Sequence, residues 1–244
     1  MTDHGAGRRL FCAIDTQDLT IATELAGQLR GVVGGVKLGL EFFGAHGAAG
    51  VAAVAATGQP VFLDLKYNDI PNTVAGAVRA TAQFRPSLMT VHASGGPAML
   101  RAAMAAAYRI ADQDGHRPRV VAVTVLTSFD EDDLSAVGMA GPILDQVRRL
   151  ADLAQGCGLD GVVASAHEIE ALRALCGPDF LIVVPGIRPA WSAADDQKRV
   201  IAPAEALRKG ADMLVVGRPI TKASDPVAAA RRIVEEMGGV IPVA

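Results

Sequence analysis

Between Val61 and Thr73 the chain reads Val-Phe-Leu-Asp-Leu-Lys-Tyr-Asn-Asp-Ile-Pro-Asn-Thr. An apolar run ends in Asp64 and Lys66, and Asp69 follows three residues on. Alternate side chains of a strand share a face, so the spacing predicts Asp64 and Lys66 side by side, with Leu63 and Leu65 opposite. A plainer reading is a salt bridge closing a strand end, with Asp69 or Asn72 capping the next helix. It leaves unexplained why an Asp and a Lys share the inward face of a core strand. Buried charges are costly unless paired and hydrogen-bonded, so such clusters tend to be functional. Pro71 suits the first turn of a following helix, where a missing N–H costs nothing.

Three chemistries suit lysines interleaved with carboxylates. Asp15, Asp64 and Asp69 could hold Mg²⁺, but Lys37 and Lys66 put positive charge where the metal would sit. A Schiff base needs an uncharged amine, whereas an acidic neighbour favours the ammonium. A protonated lysine between carboxylates is best suited to donate a proton. A carboxylate beside a substrate anion repels it, by about 4 kcal/mol at about 4 Å and an effective dielectric near 20. Loss of an anionic group followed by protonation, as in a decarboxylation, fits that arrangement.

The elements that must position these residues follow from periodicity. Apolar runs of strand length alternate with Ala-rich helical patterns about eight times. The strands are expected at Leu10–Ile14, Gly35–Leu38, Val61–Leu65, Leu88–Val91, Val120–Leu126, Gly161–Ala164, Leu181–Val184 and Met213–Val216, with a last helix over Pro226–Met237. The runs lack polar alternation, as expected of parallel strands covered on both sides. Eight such units in 244 residues predict a single (β/α)8 barrel domain over 1–244, with 1–9 a flexible tail. A doubly wound sheet is the alternative, but Ala13-Ile14-Asp15-Thr16-Gln17 carries no glycine-rich fingerprint. In a barrel the strand ends converge on one face. Asp15, Lys37, Asp64, Lys66, His92, Thr127, Arg188 and Arg218 all lie on or just after strands, which predicts one pocket.

Barrels often bind phosphate in the loops after strands seven and eight. Arg188 and Gly217-Arg218 stand there, although solvated loop residues are the commoner fate of arginines. Residues 188–200, with Trp191 and Gln197, are polar and aperiodic, the pattern of a lid. Met99, Met104 and Tyr108 have near-helical spacing and are expected in the core. Lys209, Arg231 and Arg232 are expected to face solvent, and His46 and His167 have no partner pattern.

Composition narrows the class. The net charge is -3, with no basic stripe for nucleic acid. No apolar run approaches a membrane span, and the first nine residues hold no signal-peptide core. Cys12, Cys157 and Cys176 show no metal-ligand spacing and read as reduced thiols of a cytoplasmic protein.

The stretch Asp64-Leu65-Lys66-Tyr67-Asn68-Asp69-Ile70-Pro71-Asn72-Thr73 closely resembles the motif of the orotidine 5'-phosphate decarboxylase family. The resemblance extends to Ala13-Ile14-Asp15, Val36-Lys37-Leu38-Gly39, Thr90-Val91-His92-Ala93, Val125-Leu126-Thr127-Ser128, Pro185-Gly186-Ile187-Arg188, Asp196-Gln197 and Val216-Gly217-Arg218. It implies a bacterial-like enzyme that converts orotidine 5'-phosphate to UMP and CO₂, the last step of de novo pyrimidine synthesis, with no metal or organic cofactor. It implies that Lys37, Asp64, Lys66 and Asp69 form a charged tetrad. Lys66 would protonate C6 and Asp64 would crowd the substrate carboxylate. It further implies a homodimer in which Asp69, and with it Thr73, serves the neighbouring subunit's site. Asp15, Lys37 and Thr73 would contact ribose, and Ile70, Pro71 and Asn72 belong to the same substrate-binding stretch. Thr127, with Ser128, would read the pyrimidine, and Gln197, Gly217, Arg218 and Arg188 would serve the phosphate end. Asn68 departs from the family, which commonly has His there.

Two other readings remain at this stage. One is a Mg²⁺-dependent sugar-phosphate decarboxylase or lyase of the same barrel superfamily. Those resemble the Asp-x-Lys-x-x-Asp core but generally lack Ile-Pro-Asn-Thr. The other is a catalytically silent nucleotide-binding barrel, which would have no need of a repulsive carboxylate beside its ligand.

Overall fold

The structure, a computed structural model, describes residues 5–189, 191 and 201–238. Eight parallel strands close a barrel in sequence order: β1 Leu10–Ile14, β2 Gly35–Leu38, β3 Val61–Tyr67, β4 Leu88–His92, β5 Arg119–Val123, β6 Gly161–Val163, β7 Leu181–Pro185 and β8 Met213–Val216. Among the described residues, ten α-helices lie between and after them: α1 Leu19–Gln28, α2 Leu40–Ala55, α3 Pro71–Ala80, α4 Gly96–Asp114, α5 Glu131–Ala136, α6 Ile143–Gly156, α7 Ile169–Cys176, α8 Pro203–Arg208, α9 Arg218–Thr221 and α10 Pro226–Glu236. The (β/α)8 barrel expected from the alternation is therefore the fold. Two compact units can be distinguished within the chain, Met1–Leu65 with Val184–Ala244, and Lys66–Val183.

In the first unit, β1 pairs with β2 and with β8, and β2 pairs with β3. Every residue of β1 is buried, as a strand covered on both faces requires. Phe11 and Phe62 meet edge to face, with ring centroids 6.1 Å apart. Gly35, opposite Phe11 in the ladder, makes that contact possible: a Cβ there would lie 2.5 Å from the Phe11 ring and 2.6 Å from the Pro60 carbonyl oxygen. Within the expected tail, residues 6–9 are fixed to the barrel. Ala6–Arg9 form a 3-10 turn, and the Arg9 guanidinium donates to the carbonyls of Asp212, at 2.9 Å, and Ala211. Backbone packing is close here, since a Cβ on Gly34 would lie 2.1 Å from the Arg8 carbonyl oxygen.

In the second unit, β4 pairs with β5, β5 with β6, and β6 with Leu181–Val183 of β7. Helix α4 buries Met99, Leu100, Ala103, Met104, Ala107 and Ile110. Tyr108, expected in the core with the two methionines, is instead exposed. Its ring lies under the Arg117 guanidinium, 5.0 Å from centroid to carbon. Arg117 also forks onto Asp160 at 2.9 and 2.6 Å, and Asp160 accepts the Val120 N–H at 2.7 Å. That ion pair pins the start of β5. The strand ends at Val123 rather than Leu126. The Thr124 N–H and hydroxyl both turn to the Val163 carbonyl, and Leu126–Phe129 close a turn through Phe129 N–H to Leu126 O at 2.9 Å.

Candidate active site

One charged cluster lies at the ends of the first three strands. Asp15 follows β1, Lys37 is the third residue of β2, and Asp64 is the fourth of β3. Ladder register sets Lys37 opposite Ala13 on one side and Phe62 on the other. Its ammonium lies 3.4 Å from Asp15 Oδ1 and 3.6 Å from Asp64 Oδ2. Lys37 and Asp64 retain only 13% and 12% of their side-chain exposure, whereas Asp15 keeps 54%. The buried carboxylate thus has the counter-charge that burial demands. The half-exposed Asp15 is free to exchange partners with a ligand at little cost. Gly39 leaves this cluster room, since a Cβ there would lie 3.1 Å from the Lys37 ammonium.

The neighbouring Cys12 is not a nucleophile. Burial, with Asp15 adding and Lys37 opposing, pushes its thiol up to about 12. Burial likewise pushes the Tyr67 phenol up to about 12, so it remains protonated at neutral pH.

Lys66, two residues beyond Asp64, does not continue a regular strand. Its φ is +51°, in the left-handed region. The regular extended backbone on which the twofold alternation rests is interrupted at Lys66. The Lys66 N–H donates to the hydroxyl of Thr90 in β4, at 2.8 Å. Thr90 is fully buried. The sequence shows Thr90 as part of an apolar stretch and of the Thr90-Val91-His92-Ala93 segment of the family resemblance, with no role of its own. A hydroxyl inside a buried barrel strand, which needs a partner, is the signal that could have singled it out.

Beyond Lys66 the chain emerges to solvent, and Asn68 through Thr73 are all exposed. Asp69 Oδ1 accepts the Ile70 N–H at 2.6 Å, so Asp69 braces its own turn and does not cap α3. The N-cap of α3 is Ile70, and Pro71 takes the first helical position as its fixed φ favours. Ile70 is 67% exposed, a large apolar side chain beside the candidate Asp69. Asn68 Oδ1 would lie 2.8 Å from a Cβ on Gly95, so this pair is closely apposed. Thr127 and Ser128 are exposed in the turn after β5, and His92 ends β4 half-buried.

At the other candidate loops, Arg188 is buried rather than solvated, and its N–H donates to the Ile201 carbonyl at 3.2 Å. Gly217 is the N-cap of α9 and Arg218 its first residue. A Cβ on Gly217 would make only ordinary contact with Ala13 at 3.5 Å, so close packing by the protein does not itself require glycine there. Trp191 lies under the Arg232 guanidinium, 4.5 Å from its ring centroid. Gln197 lies outside the described residues. Among the described residues, no three His, Cys, Asp or Glu side chains group as a metal site would. No helix among them is long and apolar enough to cross a membrane.

The arrangement has parallels in known proteins. The model of the orotidine 5'-phosphate decarboxylase / HUMPS family matches residues 8–233. The chain belongs to that family. It is 56% identical over 230 residues to the orotidine 5'-phosphate decarboxylase of Paramagnetospirillum magneticum, covering 94% of this chain and 98% of that one. It is 57% identical to the orotidine 5'-phosphate decarboxylase of Rhodospirillum rubrum, with 94% of each chain covered. Among solved structures, the orotidine 5'-phosphate decarboxylase of Lactobacillus acidophilus superposes with a TM-score of 0.84 at 36% identity, covering 95% of this chain and all of that one. The orotidine 5'-phosphate decarboxylase / HUMPS match spans the described candidate residues from Asp15 to Arg218.

Proposed function

We propose that the protein converts orotidine 5'-phosphate to UMP and CO₂ in pyrimidine biosynthesis. Two lines support the reading: relatives of that name at 56% and 57% identity over nearly the full chain, and a lysine ammonium 3.4 and 3.6 Å from two strand-end carboxylates. The second is the structural observation that carries it.

The reaction breaks the bond between C6 and the carboxylate. The bonding pair stays on C6, CO₂ leaves neutral, and C6 takes a proton. Asp64, buried and held by Lys37, supplies fixed negative charge that opposes a second carboxylate beside it. That repulsion is relieved as CO₂ departs, so it favours the transition state over bound substrate. Lys66 is the proton donor to C6 and regains its proton from solvent. Lys37 and Asp15 hold the ribose hydroxyls, Thr127 the pyrimidine edge, and Gly217 and Arg218 the phosphate, with Gln197 and Arg188 at the same end.

The reading includes a cytoplasmic homodimer. The exposed run Asp69-Ile70-Pro71-Asn72-Thr73 reaches the neighbouring subunit's site, which accounts for an exposed Ile70 beside an acidic residue. The 1–244 barrel is taken as a single working domain.

The test is direct. Purified protein is mixed with orotidine 5'-phosphate, and loss of the orotate chromophore is followed with and without EDTA. Conversion to UMP that EDTA leaves unchanged is expected. EDTA-sensitive turnover of a sugar phosphate instead would move the protein to the metal-dependent lyases. Nucleotide binding without turnover, read from Trp191 fluorescence, would make it a silent binding barrel.

A further inference from the structure

We propose that Thr90 is a positioning residue for Lys66, holding the proton donor's backbone in the left-handed conformation through its side-chain hydroxyl. The inference rests on the proposed decarboxylase reading.

A left-handed lysine is unusual. The Cβ of an L-residue crowds the following carbonyl there, so the region is left mostly to Gly, Asn and Asp. Asn68 and Asp69 stand close by, yet the chain puts Lys66 at φ +51°. Among the described non-glycine residues only Arg85 shares a positive φ, and it ends the 3-10 turn Ala82–Phe84 at the surface. Strain of this kind persists only where the surroundings over-determine it, and it gathers at functional sites.

Thr90 supplies that determination. It is the middle residue of β4, fully buried, and its backbone is registered against Val121 of β5. Its Oγ therefore sits on a fixed ladder. A β-branched side chain is also stiff about χ1, so the hydroxyl has little freedom to leave the 2.8 Å contact with the Lys66 N–H. A valine would fill the same space and fit the barrel core at least as well. The hydroxyl is what the position adds, and it meets the backbone of the proton donor. Moving the Lys66 backbone by a fraction of an ångström moves its ammonium relative to C6, and proton transfer is sensitive to such shifts.

Thr90→Val keeps the shape and removes the acceptor; Thr90→Ser keeps the acceptor. The full-length enzyme is assayed with orotidine 5'-phosphate, wild type first. A wild type without turnover would remove the decarboxylase reading itself. With an active wild type, Thr90→Val is expected to lose about tenfold or more in kcat while KM stays within about threefold, because the phosphate and ribose contacts are untouched. Thr90→Ser is expected to recover kcat to within about threefold of wild type. Arg117→Ala, which breaks the ion pair to Asp160 before β5, is the structural control: it lowers the urea midpoint and leaves kcat alone. If Thr90→Val does not fold, Thr90→Ala takes its place with the same expectation. Wild-type kcat in the valine or alanine variant, or a serine variant as impaired as the valine, would overturn the assignment. So would a kcat loss in Arg117→Ala equal to that in Thr90→Val.

Discussion

Replacing Lys37 by Met keeps the length of the side chain and removes its charge, which leaves Asp64 buried without the ammonium 3.6 Å away. The Coulomb attraction in that pair is about 5 kcal/mol at an effective dielectric near 20. Much of it is already offset by the desolvation of both ions, so the net worth of the pair is smaller. Removing one member is a different matter, because the other keeps its desolvation penalty; losses of about 3–5 kcal/mol are usual for buried pairs. Asp64 and Lys37 retain 12% and 13% side-chain exposure, so the lower end, about 3 kcal/mol, is expected. The contact with Asp15, which is 54% exposed, adds less than about 1 kcal/mol. Urea denaturation followed by circular dichroism gives the stabilities of wild type, Lys37→Met, Asp64→Asn and the double variant. The double variant buries two neutral groups, whereas Lys37→Met alone leaves the Asp64 charge without the Lys37 ammonium. It should be more stable than the sum of the single losses allows, by about 1.5 kcal/mol or more. All three variants should lack decarboxylase activity, so activity cannot substitute for the stability cycle. Losses that add to within about 0.5 kcal/mol would show that Lys37 and Asp64 are not energetically paired.

Alkaline pH should weaken the fold through Cys12 and Tyr67, whose protons are held up to about 12 by burial. The unfolded thiol ionises from its ordinary value of 9.0 while the folded one does not. Its contribution is therefore intact below pH 9 and is lost toward pH 12, with a slope of up to about 1.4 kcal/mol per pH unit. Cys12→Ala should flatten that slope between pH 9 and 11, and coincident curves would contradict it. Arg218→Ala should lower kcat/KM by about a hundredfold or more while shifting the urea midpoint little, because a phosphate contact drives binding and closure rather than folding; unchanged kinetics would remove the phosphate assignment. If Asp69 serves the partner's site, equal amounts of inactive Asp69→Ala and Lys66→Ala dimers, allowed to exchange subunits, should regain about a quarter of wild-type specific activity. A mixture that stays inactive after exchange is demonstrated by mass would place Asp69 and Lys66 of one subunit in the same site.

The strands were legible because parallel strands covered on both sides must be apolar throughout. Leu10–Ile14, Gly35–Leu38 and Met213–Val216 begin and end where their apolar runs do. The apolar run Val120–Leu126 outlasts the strand because hydropathy does not distinguish a paired residue from one beyond the ladder. Val125 is as buried as the strand before it, yet the pairing with β6 ends at Val123 and the chain turns at Leu126–Phe129. Tyr108 departs from the core its spacing predicts for a related reason. Its spacing matches Met104, but a phenol can find a place on the surface under a guanidinium, and Arg117 comes from the loop before β5. The Ala6–Arg9 turn was hidden because its anchors, the carbonyls of Ala211 and Asp212, are some two hundred residues away.

The charged site divides along the same line. That Asp15, Lys37 and Asp64 would meet follows from adjacent parallel strands in sequence order, and the register brings them together around one ammonium. What residue spacing cannot carry is a backbone dihedral. The twofold rule that put Lys66 beside Asp64 assumes extended geometry at every step, and Lys66 departs from it. A sequence with glycine or asparagine at that position would have announced the turn; a lysine does not, because lysine has no preference for a positive φ. The cost of forcing a lysine into that region, roughly 1–2 kcal/mol, has to be met by neighbours. Thr90, whose hydroxyl accepts the Lys66 N–H from the adjacent strand, is one of them.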